Sequence, residues 1–145
     1  MIELLALAAR TVTGQQEITT PADLDLVESA SILLDVTAAA TGVGDTLNVR
    51  IQGLYDLPDG TIRFADDFIS FTQLLGNGGA KQIIAQWRRD TLPESEVHAA
   101  AADALAAGVL QGPVPKRWRA SWIVAGAGPP SFSFRLLGAL VYRGR

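Results

Sequence analysis

The chain has 145 residues, 48% of them apolar and 19% charged, with a net charge of −3 and no cysteine. That length suits a single domain with a sizeable core, and the modest charge argues against a disordered polyelectrolyte. The missing thiols exclude disulfide frameworks and thiolate chemistry, and no run reaches the roughly 18 apolar residues of a membrane-spanning helix.

Charge is unevenly distributed. Residues 1–103 carry all 15 acids and six basic residues, a net of −9, whereas 104–145 hold Lys116, Arg117, Arg119, Arg135, Arg143 and Arg145 without an acid, a net of +6. The basic residues are interleaved with apolar ones, not clustered. This favours strands from the two ends pairing and neutralising each other over a nucleic-acid patch.

In chain order, "MIELLALAAR" predicts a first strand; it carries Glu3 and is too short for a secretion signal. In "SILLDVTAAATGVGDTLNVRIQG" alternation places Ile32, Leu34 and Val36 on one face, then Leu47, Val49 and Ile51 after a loop of small residues. The loop predicts a hairpin that sets Val36 opposite Val49 and Asp35 opposite Arg50, a cross-strand ion pair that fixes register. "LPDG" at 57–60 is a turn, with Pro58 presetting φ and Gly60 free to take positive φ. "TIRF" and "FISFTQLL" supply one or two further strands, "GNGG" at 76–79 a turn, and "KQIIAQW" another strand.

"TLPESEVHAAAADALAAG" breaks the period. Thr91 as N-cap, Glu94 three residues on, Pro93 in the first turn and Gly108 as a stop predict a helix over 91–108, with Val97, Ala101, Ala104 and Leu105 as a narrow apolar stripe. The prolines of "QGPVPK" make a stiff return. "RWRASWIVAG" and "SFSFRLLGALVY" then form a hairpin about the bare "AGAGPP" turn. The predicted core is Ile32, Leu34, Val36, Leu47, Val49, Ile51, Phe68, Phe71, Trp118, Trp122, Phe132, Phe134 and Leu136. The fold class is all-β: an antiparallel β-sandwich or jelly-roll-like domain of about eight strands over 1–145, with a helical and extended excursion over 88–116.

Chemistry is sparse. His98 has no cysteine or second histidine to join it, Asp66 and Asp67 point to opposite faces of a strand, and the glycine runs lack the Lys-Ser/Thr of a phosphate loop. Trp87, Trp118, Trp122 and Tyr55 suit a stacking platform for sugar or single strands, but two of the tryptophans alternate on a core face, which favours packing. No "GxSxG" is present, so neither enzyme activity nor a metal or cofactor is expected.

With the strands placed, "SILLDVTAAATGVGDTLNVRIQG", the "FTQLLG" of 71–76, "KRWRASWIVAGAGPPSFSFRLLGAL" and the opening "LLALAARTVTG" resemble, in that order, small structural proteins of tailed bacteriophages. The helical stretch near 91–108 departs from that pattern, where a shorter loop is usual. The resemblance implies a non-enzymatic virion protein, assembled in the host cytoplasm, most simply a capsid decoration or head-surface protein that stabilises the shell. The alternatives are a tail or neck component and a carbohydrate-binding β-sandwich module. It implies binding to the major capsid protein or other virion proteins, with no nucleic-acid or membrane partner. A homo-oligomer, trimer before pentamer, is expected because linked copies bind a symmetric lattice multivalently and the acid-rich first part, basic last third and alanine-rich helix can join them. Trp87, Arg88, Arg89, Val97, Leu105, Lys116 and Arg117 are the expected subunit or capsid contacts.

Overall fold

Alternating apolar residues give the chain two-faced strands, and two such sheets must close on each other to hide their apolar faces. The computed structural model describes residues 1–18, 23–60, 62–89, 108–109 and 116–144, and these form two antiparallel sheets. Eight long strands are β1 (Ile2–Arg10), β2 (Gly14–Ile18), β3 (Val27–Ala38), β4 (Thr46–Asp56), β5 (Ile62–Ser70), β7 (Lys81–Arg88), β9 (Arg117–Ala125) and β10 (Phe132–Tyr142). Two further strands, β6 (Leu74–Leu75) and β8 (Gly108–Val109), have two residues each. One sheet has the order β1-β10-β3-β7; the other has β2-β9-β4-β5-β8, with β6 beside β4. Among the described residues there is no α-helix, only a 3-10 turn at Leu24–Leu26.

All thirteen residues of the predicted core are buried, in one apolar cluster between the sheets. Its centre is aromatic. Phe68 packs on Trp118 at 5.5 Å and edge-on to Trp87 at 6.4 Å, while Trp122 meets Phe134 edge-on at 6.0 Å. The Trp122 indole N–H donates to the Val12 carbonyl at 3.0 Å, so its polar atom is satisfied.

Two expectations of pairing are corrected. β3 and β4 are not a hairpin: they lie in different sheets, and the loop between them crosses the sandwich. Asp35 therefore meets Arg135 of β10, its direct register partner, at 2.8 Å, and not Arg50. Gln82 of β7 adds a hydrogen bond to the same carboxylate at 3.2 Å, so one row ties three strands together. β9 and β10 likewise belong to different sheets, and "AGAGPP" is an arch over one end of the molecule. Of the seven links between successive long strands, the β4–β5 link stays within a sheet; it is the "LPDG" turn, where Gly60 has φ 83° and donates its N–H to the Leu57 carbonyl at 2.9 Å.

The uneven charge is resolved by pairing between the two ends of the sequence. β1 pairs with β10 and β2 with β9, and Glu17 of β2 takes a bidentate contact from Arg117 of β9 at 2.8 and 2.9 Å. The predicted 91–108 helix lies outside the described residues except at its expected stop: Gly108 is in a strand and pairs with Ser70.

Candidate functional site

Asp45 is the centre of the most constrained polar constellation, at the end of the sandwich where three loops converge. The β3–β4 loop turns back on itself, with the Asp45 N–H donating to the Gly42 carbonyl and the Gly42 N–H donating to Asp45 Oδ2, both at 3.1 Å. The β6–β7 loop docks on it through the Gly76 N–H to the Asp45 carbonyl at 2.7 Å and the Asn77 N–H to the Ala40 carbonyl at 2.6 Å. The β9–β10 arch closes over the carboxylate: a Cβ on Gly126 would overlap Asp45 Oδ1 and sit 2.8 Å from Cγ. A groove of about 430 Å³ runs between the first and third loops, lined by Ala39–Gly42, Asp45 and Ala127–Ser131.

At Gly76, an added Cβ would overlap the Gly42 carbonyl oxygen and lie 2.9 Å from Asp45 Cβ. The obstruction is backbone, so Gly76→Ala must move a loop. The expected loss is about 1–3 kcal/mol in chemical denaturation; an unchanged midpoint would show that the loops are not locked together.

A second buried polar group closes the neighbouring strand ends. Arg10, the last residue of β1, is 8% exposed and lies opposite Phe132, on the inner face. Its guanidinium donates to the carbonyls of Phe134 (2.8 Å), Ala8 (2.9 Å) and Ala6 (3.1 Å), and stands 4.2 Å from the Phe134 ring centre and 4.8 Å from that of Trp122. Desolvation lowers its pKa. Carbonyl dipoles and two ring faces stabilise the charge in place of a carboxylate.

The described members of the expected contact set differ in their surroundings. Trp87 is 1% exposed, inside the core, and cannot present its ring to a neighbour or a sugar; its expected surface role is withdrawn. Arg89 pins the turn before β3, with Nε donating to the Val27 carbonyl at 2.8 Å and Nη2 to that of Leu24. Arg88 and Lys116 are exposed. Val97, Leu105 and His98 lie outside the described residues. Trp118 and Trp122 are buried as well, so the stacking platform built on these tryptophans does not exist. Among the described residues, no three His, Cys, Asp or Glu are grouped to hold a metal ion, and no helix is long and apolar enough to cross a membrane.

Arg117 is partly exposed at the surface. Its hydrogen bond and charge hold the Glu17 carboxyl below the usual carboxylate range. A folded pKa below the unfolded one favours folding above the unfolded value, a contribution lost as pH falls through the folded one. An NMR titration of Glu17 is expected to give a low midpoint that Arg117→Gln returns to the ordinary value. A midpoint insensitive to that change would remove the pair from any account of acid stability.

Sequence reasoning missed Asp45 and Arg10. "GVGD" carries the signal for the first, a short acid after small residues able to bond its own loop. Parity carries a weak one for the second. Among known proteins, no family model matches the chain, and no curated protein or solved structure matches it.

Proposed function

We propose that the chain is a non-enzymatic structural protein of a tailed-phage virion, a capsid decoration or head-surface protein with a jelly-roll fold. The strand order is the observation that carries this reading. In chain order the long strands alternate between the two sheets at every step but β4–β5, giving β1-β10-β3-β7 facing β2-β9-β4-β5. That interleaving supports a jelly-roll reading of the sandwich, an architecture recurrent in viral shells. Fold alone does not name a function; the phage resemblance supplies the rest, and its stretches fall on β1, β3, β4, β6, β9 and β10. A tail or neck position is the alternative within this class. The carbohydrate-module alternative loses its main support with the tryptophans buried.

The protein acts as a homo-oligomer, a trimer by preference, because several weak contacts on a symmetric lattice add up where one does not. Mass spectrometry of purified particles tests the reading: many copies per virion, in fixed ratio to the major capsid protein, are expected. Absence from the particle would overturn it, and a ratio matching a tail ring would move the protein to the tail. Sedimentation of the isolated chain is expected to give a trimer.

A further inference from the structure

We propose that the groove beneath the β9–β10 arch binds a cationic side chain, a lysine or arginine carried by a protein partner that docks on this end of the sandwich. Asp45 is 9% exposed and lines the groove. Its Oδ2 accepts the Gly42 N–H, while Oδ1 accepts no hydrogen bond among the described residues. No described cation pairs with it, unlike Asp35 and Glu17, which each have an arginine. A carboxylate that is 9% exposed, with one hydrogen bond to it and no counter-charge among the described residues, gains a charge-assisted contact from a cation that arrives through the groove.

The walls select what can bring that charge. Ala39, Ala40, Ala127, Pro129 and Pro130 offer small apolar surfaces, suited to the methylene stem of a long basic side chain whose head reaches the carboxylate. The hydroxyls of Thr41 and Ser131 can accept the head's remaining N–H groups. A volume of about 430 Å³ falls within the range of pockets that enclose small ligands. Backbone hydrogen bonds lock the β3–β4 and β6–β7 loops together, and the close approach of Gly126 sets the arch against Asp45, so the carboxylate is held in place before binding, which lowers the entropic penalty.

The test is an amide-resolved NMR titration of the whole chain with Nα-acetyl-lysine amide and Nα-acetyl-arginine amide, with the norleucine analogue as an uncharged control. Saturable shifts at Gly42, Gly126 and Ser131 are expected for a basic probe, with a dissociation constant of about millimolar, as befits a ligand of roughly a dozen heavy atoms. Asp45→Asn keeps the acceptor for Gly42 and is expected to weaken binding at least tenfold. Should that variant misfold, the comparison of the lysine probe with norleucine on the unaltered chain decides alone. No saturation, equal response to norleucine, undiminished binding by a folded Asp45→Asn, or tighter binding of Ca²⁺ at the same amides would each overturn the proposal. It does not rest on the virion reading: absence from particles would leave the affinity for lysine in place, and failure to bind lysine would leave the particle count untouched.

Discussion

Phe134→Ala is expected to lower the free energy of unfolding by about 3–5 kcal/mol, the range for emptying a buried ring. The ring is fully buried and forms one wall of the cleft that holds the Arg10 guanidinium, with Trp122 as the other. Truncation leaves a cavity beside an indole and uncovers a charge that depends on ring faces for part of its stabilisation. Phe134→Leu, which keeps most of the volume, is expected to lose less than half as much. Urea unfolding at neutral pH measures both. A loss under about 1 kcal/mol for the alanine variant would mean that the two sheets are not closed over this region.

Trp87→Ala is expected to be similarly severe, again about 3–5 kcal/mol, or roughly 10–15 °C in melting temperature for a domain of this size. Trp87 is the inward residue near the end of β7, set against Phe68 and covered by Arg89, whose guanidinium lies 5.7 Å from the ring centre. Arg89 in turn holds the turn at Leu24–Leu26, so the hole spreads from the core to the entry of β3. The variant separates two meanings of an aromatic residue. A ring used to stack on a ligand can be removed with little effect on melting; this one cannot. An unchanged melting temperature would return Trp87 to the surface.

Period-2 alternation was enough to find seven of the eight long strands and thirteen core residues, because which face a residue occupies is decided locally; the short polar β2 carries no such signal. Ile83, Ala85 and Trp87 share the inward parity of "KQIIAQW", so the place of Trp87 was legible even where its role was misread. Partnership was not legible. Asp35 could face Arg50 or Arg135 on parity alone, and the choice depends on whether the Gly-Thr loop reverses within a sheet or crosses between sheets. Small residues and glycines serve both, since each needs a tight reversal and close backbone approach. Asp45 was invisible for the same reason: its neighbours come from three loops, the farthest of them, at Gly126, more than 80 residues away, which meet only once both sheets have closed.

The interleaved strand order also dictates how the chain can reach its native state. β10 lies between β1 and β3, so the sheet begun by the first ten residues is split until the last strand arrives from more than 120 positions away. Among the described long strands, the β4–β5 hairpin alone can form early from neighbouring sequence. Closing such long loops before any contact rewards them slows folding, towards the millisecond-to-second range of β-sandwiches. During synthesis, β3 and β1 must wait with unpaired edges until residue 142 has left the ribosome, a period of several seconds at about 5–20 residues per second. The bulges that interrupt β1 between Glu3 and Ala8 are well placed to keep that waiting edge from pairing with a neighbouring nascent chain.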